Sequence, residues 1–338
     1  MKKIGKVLIV VVVFFLATGM LMAGGARGRA DTGVVELAWG CIQAGGHPWV
    51  QVSNLIVREV YERSGGTIRI TYYNAAVLGS EHEMVGMLRD GSLALLTSGP
   101  SILASFYEAV QVPGLPFIFD NPAHARRFFN SAYSQRVYNE IILGRSGIRT
   151  IDFWYLGDRH LTTRGLQVNS PADLSGVRIR SMDTPVSRTT VDALGANAVP
   201  ISFPELYFAL QTGVVVGQEN PIPSIISQRF YEVQDNVILT GHSVHMGTVH
   251  VSEQIWSRLT AEQQRIILDA FDKYRDEVDR LVNQQTEEGI RTLRARGVQV
   301  YAPTDIEAFR AHAARVVDEN FGHLPGWGEG IRQARAHR

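Results

Sequence analysis

The chain predicts an α/β protein of two domains, with one long helix lying across both. Three observations lead there. An early stretch reads strand, helix, strand, helix, strand. A second run of strand and helix patterns begins at residue 148. A capped helical pattern then continues from Ala261 to about Arg296. With 338 residues, the chain also exceeds the roughly 250–300 residues that one hydrophobic core usually serves.

"VVELAWG" (34–40) reads as the first strand. "HPWVQVSNLIVREVYERSGG" follows as an amphipathic helix: Trp49, Val52, Leu55, Ile56 and Val60 recur at helical spacing, and Gly65-Gly66 stop it. "TIRITYYNA" (67–75) alternates as a strand does. In "LGSEHEMVGMLRDGS" (78–92), Ser80 with Glu83 forms a capping box. "LALLTSG" (93–99) is a short buried strand. This order implies parallel strands joined by crossover helices. Later, "IRTIDFWYLGDRHLTT" (148–163) is expected to hold a strand pair and "GVRIRSM" (176–182) a strand. Helices are expected over "TPVSRTTVDALGAN", ending at Gly195, and over "SFPELYFALQTG", capped by Ser202. The valines 214–216 read as the next strand, delivering Asn220 at its polar end. Thr260 and Gln263 cap the long helix, "GVQVYAP" (297–303) is a late strand, and 304–321 is a final helix. No flexible linker appears. The expected division is a first domain of 33–156 plus 246–285 and a second of 157–245 plus 286–338.

At the N-terminus "MKKIGK" precedes an apolar run, Val7 to Ala23, with small residues near Ala26 and Ala30. This describes a cleavable signal peptide over 1–30 and export. An uncleaved anchor is the rival, although the run is short of the ~20 residues a span needs. The formal net charge is zero, which gives no basic footprint for nucleic acid. The apolar and charged fractions, 45% and 20%, are those of a globular domain. The single cysteine, Cys41, excludes an internal disulfide and reads as a small, partly buried residue rather than a nucleophile.

Catalytic and cofactor patterns are missing. The histidines do not fall at metal-ligand spacing. His242 and His245 lie three apart without a carboxylate in register, and no H-E-x-x-H, G-x-S-x-G, Walker loop or G-x-G-x-x-G occurs. No metal, cofactor or catalytic residue is therefore expected. What remains is an anion cleft. In "GVRIRSM", Arg178 and Arg180 alternate with Val177 and Ile179, so both guanidiniums share one face. In an interior strand one of them needs an anion, because arginine is rarely buried unpaired. An edge strand with two solvated arginines fits the spacing equally well. Arg159 follows an aromatic strand, where Asp158 would also hold it at a surface.

The stretch "PADLSGVRIRSMDTPVSRTTVDALGANAVPISFPELYFALQTGVVVGQENPIPSIISQRFYEVQ" resembles the central signature of the solute-binding proteins of TRAP transporters, the DctP-type family. "HPW", "TIRITYYNAAVLGSEHEMVGMLRDGSL", "VPGLPFIFDN", "GDRHLTT" and "TGH" (240–242) fall in the family's order, so the likeness runs over about 33–320. It implies a periplasmic-binding-protein-like fold of two α/β domains closing on an organic anion such as a C4-dicarboxylate or sugar acid. It also implies a periplasmic location and delivery to a small and a large TRAP membrane subunit, with a monomer as the default. Arg180 is implied as principal carboxylate ligand, with Arg159 and Asn220 beside it. Gln43, His47 and Ser98 of the Ser98–Ser101 turn are further candidates, with Trp154, Tyr155 and Phe203 as walls; ordinary packing is the other reading of each. Where the family commonly has Asp before "GQEN", this chain has Val216, for which a lost structural contact is expected. Two alternatives stand beside transport: service to a sensor or chemoreceptor, and an exported enzyme on organic acids with His47 or His160 as base.

Overall fold

The computed structural model describes residues 33–337; the expected signal peptide lies outside the described residues. Strand β1 (Val35–Cys41), helix α1 (Pro48–Arg63), β2 (Ile68–Tyr73), α2 (Glu81–Asp90) and β3 (Leu95–Ser98) follow in the expected order. β1 runs parallel to both β2 and β3. α1 opens on Pro48, whose missing N–H costs nothing in a first turn. α2 carries its capping box: Ser80 Oγ accepts from Glu83 N at 3.3 Å, and Glu83 Oε2 accepts from Ser80 N at 2.7 Å.

The later strands are β4 (Ile148–Thr163), β5 (Arg178–Ser181), β6 (Asn197–Pro200), β7 (Gly217–Pro221), β8 (Asn236–Ser252) and β9 (Gln299–Tyr301). All belong to one mixed sheet in the order β2-β1-β3-β8-β4-β7-β5-β6, with β9 on β8. Two expectations need correction. Residues 148–163 form one 16-residue strand instead of a pair. It runs antiparallel to β8, with register shifts at Thr150/Asp152, Tyr155/Gly157 and Arg159/Leu161. Such shifts bend a strand without turning it back. Gly157, at the middle shift, has φ +122, and a Cβ there would lie 2.9 Å from Pro221 Cβ.

The valine run is the second correction. Val214 is 48% exposed, Gly213 turns the chain at φ +74, and the strand is the polar stretch Gly217–Pro221 itself. Its buried side chains satisfy one another across the β4 pairing: Gln218 Nε2 donates to Thr162 Oγ1 at 2.9 Å, and Glu219 meets Arg159.

Helix α3 (Pro185–Ala193) is capped by Thr184, and α4 (Leu206–Gln211) follows a 3₁₀ turn at Phe203–Glu205. α5 (Ala261–Ala295) has 35 residues and the expected Thr260/Gln263 box, about 50 Å of helix at 1.5 Å per residue. Its Ile266, Phe271, Val278 and Val282 join a large core built around Trp39, Trp49 and Trp154. Its Leu293 joins a separate core with Leu206, Leu210 and Val237, and a further small core gathers Leu161, Ile179 and Phe309. The helix thus spans two lobes. At Gly247 the Trp49 indole packs so closely on β8 that a Cβ would lie 2.0 Å from it.

α6 (Ile306–Phe321) matches the expected last helix, but α7 (Trp327–Ala336) follows it. Phe321, Trp327, Ile331 and Ala334 sit in the Trp39 core, with the Phe321 and Trp327 rings stacked at 4.1 Å. Placing the whole of 286–338 in the second domain is therefore wrong for its end, because the apolar face of α7 returns to the first lobe. The rest of the division is proposed on the separate cores. Val35–Arg338 forms one compact unit, consistent with lobes that share β4, β8 and α5.

Candidate functional site

The carboxyl ends of β1, β5 and β7, the N-terminus of α2 and the middle of β4 converge on one cavity of about 470 Å³. Ile42, Gln43, Glu81 and Ser101 line it from the first lobe. Arg180, Met182, Ile201 and Phe203 line it from the second. Ligands of open α/β sheets bind at such strand ends.

Arg180 is 2% exposed. Among the described residues its one hydrogen bond runs from Nε to Ile201 O at 2.8 Å. Nη1 is buried without a partner, and the guanidinium carbon lies 5.8 Å from the Phe203 ring centre. Burial pulls its pKa down to about 10; the charges of Glu219 and Glu81 oppose that fall and Arg159 adds to it. The group remains a cation at neutral pH, desolvated and without a counter-ion in contact. Arg178, on the same strand, is exposed, with Nη2 3.4 Å from Gly213 O.

Arg159 lines the same cavity but is spoken for. Its Nε pairs with Glu219 Oε2, and Nη2 donates to Glu219 Oε1 at 2.9 Å and to Asn220 Oδ1 at 3.3 Å. His242 Nε2 lies 3.1 Å from Glu219 Oε2, and His242 Nδ1 lies 2.7 Å from Thr240 Oγ1. Burial alone would raise the Glu219 carboxyl. The Arg159 charge and the hydrogen bonds from His242 and Arg159 outweigh it and hold the pKa at about 2. Asn220 lines the cavity, with Nδ2 donating to Gln218 Oε1 at 2.5 Å.

Five of the sequence-expected residues therefore meet at the cavity: Arg180, Arg159, Asn220, Gln43 and Phe203. Three do not. His47 is fully buried as the cap of α1, with Nδ1 accepting from Trp49 N at 3.2 Å and Nε2 3.4 Å from Ser224 Oγ. Trp154 is a core residue whose Nε1 donates to Asp152 Oδ2 at 2.8 Å. Ser98 is buried in β3 with Oγ 3.4 Å from Gly99 O, while Gly99 and Ser101 beyond it reach the cavity. Tyr155 also turns away, donating to Asp158 Oδ1 at 2.9 Å. Val216 lies outside the cavity, its N donating to Arg178 O at 2.9 Å.

Sequence reading missed Glu81, His82 and His245. Glu81 was hidden as the first residue of a capped helix, although a helix N-terminus just beyond a strand end is itself a signal. His245 was weighed only as a metal ligand. Burial lowers it to about 3, as it does His160, so both rings are neutral. Burial likewise pushes the Cys41 thiol up to about 11, against a nucleophile. Among the described residues no three His, Cys, Asp or Glu gather as a metal site.

Two lobes around a cavity that holds a desolvated cation are the arrangement of a protein that binds a small anion. The comparisons agree: residues 40–323 match the DctP model, the bacterial extracellular solute-binding proteins of family 7, and the chain belongs to that family. It is 33% identical over 258 residues to the sialic acid-binding periplasmic protein SiaP of Vibrio cholerae, covering 76% of this chain and 79% of that one. It is 28% identical over 232 residues to the C4-dicarboxylate-binding periplasmic protein DctP of the same organism, covering 69% and 68%. Among solved structures, a TRAP periplasmic solute-binding protein from Polaromonas bound to D-erythronate matches with a TM-score of 0.83 at 26% identity, covering 89% of this chain and 98% of that one.

Proposed function

We propose that this protein, exported to the periplasm, captures a carboxylate-bearing organic anion between its lobes and hands it to a TRAP-type transporter with a small and a large membrane subunit. The observation that carries the reading is Arg180: buried, cationic, and with no acceptor for either terminal nitrogen among the described residues. A guanidinium fork matches a carboxylate with two parallel hydrogen bonds. Relatives of the family bind acids, among them sialic acid and D-erythronate. They are binding proteins, which supports capture over turnover.

Affinity needs more than the fork. A charge-assisted hydrogen bond contributes about 1.5–3 kcal/mol net, whereas micromolar to nanomolar capture requires about 8–12 kcal/mol. Burial of the ligand between Ile42, Ile102 and Leu156 on one side and Phe203 on the other supplies apolar contact, at about 25 cal/mol per Å². A thermal-shift screen against small organic acids tests the reading, since a ligand of the folded state raises the melting temperature. One acid class should stabilise the protein, and Arg180→Ala should abolish that shift. A shift retained by Arg180→Ala refutes the carboxylate clamp.

A further inference from the structure

Relatives of this chain differ in the charge they take: one binds a C4-dicarboxylate, another is seen with D-erythronate, a monoacid carrying hydroxyls. The charges around this cavity discriminate between those cases. Two cations line it, Arg159 and Arg180. Arg159 is already offset by Glu219, which holds its Nε and Nη2 edge. Of these two arginines, Arg180 alone has no anion in contact among the described residues. Three carboxylates also line the cavity: Glu81, Asp183 and Glu205. Asp183 pairs with Arg188, and Glu205 Oε2 accepts from Ser202 Oγ at 2.5 Å.

Glu81 differs from those two. It comes from the lobe opposite Arg180, at the first position of α2. Oε1 accepts from Gly99 N at 3.3 Å. Among the described residues Oε2 has no hydrogen-bond partner and no cation within ion-pair distance. It is a half-buried acceptor open to the space a ligand would fill. Burial raises its pKa, against the pull of the Gly99 N–H and the two arginines, so it either keeps a poorly solvated charge or holds a proton. In neither state does it offer a cation to a second anionic group. A hydroxyl, by contrast, donates to it directly.

Resting on the reading above, we infer that the ligand is a hydroxylated monocarboxylate, clamped through its one carboxylate by Arg180 and through hydroxyls by Glu81, and that Glu81 excludes dicarboxylates. A second carboxylate brought up to Glu81 would find the other cavity arginine, Arg159, already paired with Glu219, and like charges brought together out of water repel strongly. A partner group that rejects the wrong ligand confers specificity as effectively as one that attracts the right one.

Matched acid pairs test this by isothermal titration calorimetry on the purified protein. Glycerate against tartronate, D-erythronate against meso-tartrate, and galactonate against galactarate each differ only by a terminal CH₂OH replaced with a carboxylate. The expected result is that at least one monoacid binds and its diacid partner binds at least tenfold more weakly. In Glu81→Gln, which keeps size and an acceptor oxygen, the monoacid should stay within a few-fold while the diacid improves at least tenfold. A diacid bound as tightly as its monoacid, with both lost in Arg180→Ala, overturns this inference and leaves the anion-binding reading standing. Equal changes for both acids in Glu81→Gln overturn the role of Glu81. Binding by none of the six overturns the inference together with the reading beneath it.

Discussion

Arg159 and Arg180 line the same cavity, are both nearly inaccessible, and have opposite surroundings. Arg159 sits mid-strand in β4 with the carboxylate of Glu219, the Asn220 amide and, one step further, His242 arranged around it. Arg180 lies one residue from the end of β5 with a single backbone carbonyl and an aromatic face. A buried charge without a partner is costly, and folded chains keep such a group where something else completes it. The pair therefore teaches that burial alone does not mark a binding residue. What marks it is a desolvated charge whose hydrogen-bonding capacity the protein leaves unmet.

The comparison breaks most severely if Arg159 proves dispensable. Arg159→Ala strands Glu219 in the interior, and breaking a buried pair from one side costs about 3–5 kcal/mol; urea unfolding should show that loss. Arg180→Ala should do the reverse. Ligand affinity falls by about 2–5 kcal/mol, the cost of truncating one member of a buried charge pair, while the ligand-free protein unfolds at the same urea concentration or a higher one. Calorimetry and unfolding on both variants separate the roles, and similar destabilisation by the two substitutions would erase the distinction.

Acid tests the same contrast. Glu219 has a folded pKa of about 2 against an ordinary 4.5. The stability it contributes is complete above about 4.5 and is lost as pH falls towards 2. His47, His160, His245 and His250 are lowered by burial from 6.5 to about 3. Each is neutral when folded and takes up a proton on unfolding, so its contribution is present above 6.5 and lost as pH falls through that window, at most about 1.4 kcal/mol per pH unit per group. The melting temperature should therefore begin to drop below about pH 6.5 and fall further below 4.5. A flat profile from 6.5 to 4.5 contradicts the neutral, buried state of these rings. The smallest effect belongs to Arg178, two residues before Arg180 and exposed: Arg178→Ala should shift stability by less than about 0.5 kcal/mol and leave ligand affinity unchanged.

Much of the scaffold was legible because its signals are local. Ser80 with Glu83 and Thr260 with Gln263 announce helix starts through bonds made within four residues. Alternation with Val177 and Ile179 put Arg178 and Arg180 on one face, and only the family resemblance singled out Arg180. The failures share a cause in the interior's polar chemistry. β8 carries three histidines and several hydroxyls in "NVILTGHSVHMGTVHVS", so no apolar pattern reveals a buried strand. Its His250 is satisfied by Thr150 and Thr248, at 3.0 and 2.6 Å, the first of which lies far away in sequence. β7 inverts the usual preference: the valines sit in the turn and the polar residues form the strand. His47 and Trp154 fell on the wrong side of the wall because their sides are set by how α1 and α5 pack on the sheet, which no single segment encodes.

β4 and β8 each pass from one lobe into the other without a break in the chain. The lobes are therefore not modules that were joined, and no cut in the sequence separates them. A fragment ending near Leu156 would carry half of a strand and expose its edge, and swapping one lobe for a relative's would require splicing inside two ladders at once. New ligand preferences in this architecture are thus to be sought by replacing side chains around the cavity, not by exchanging domains.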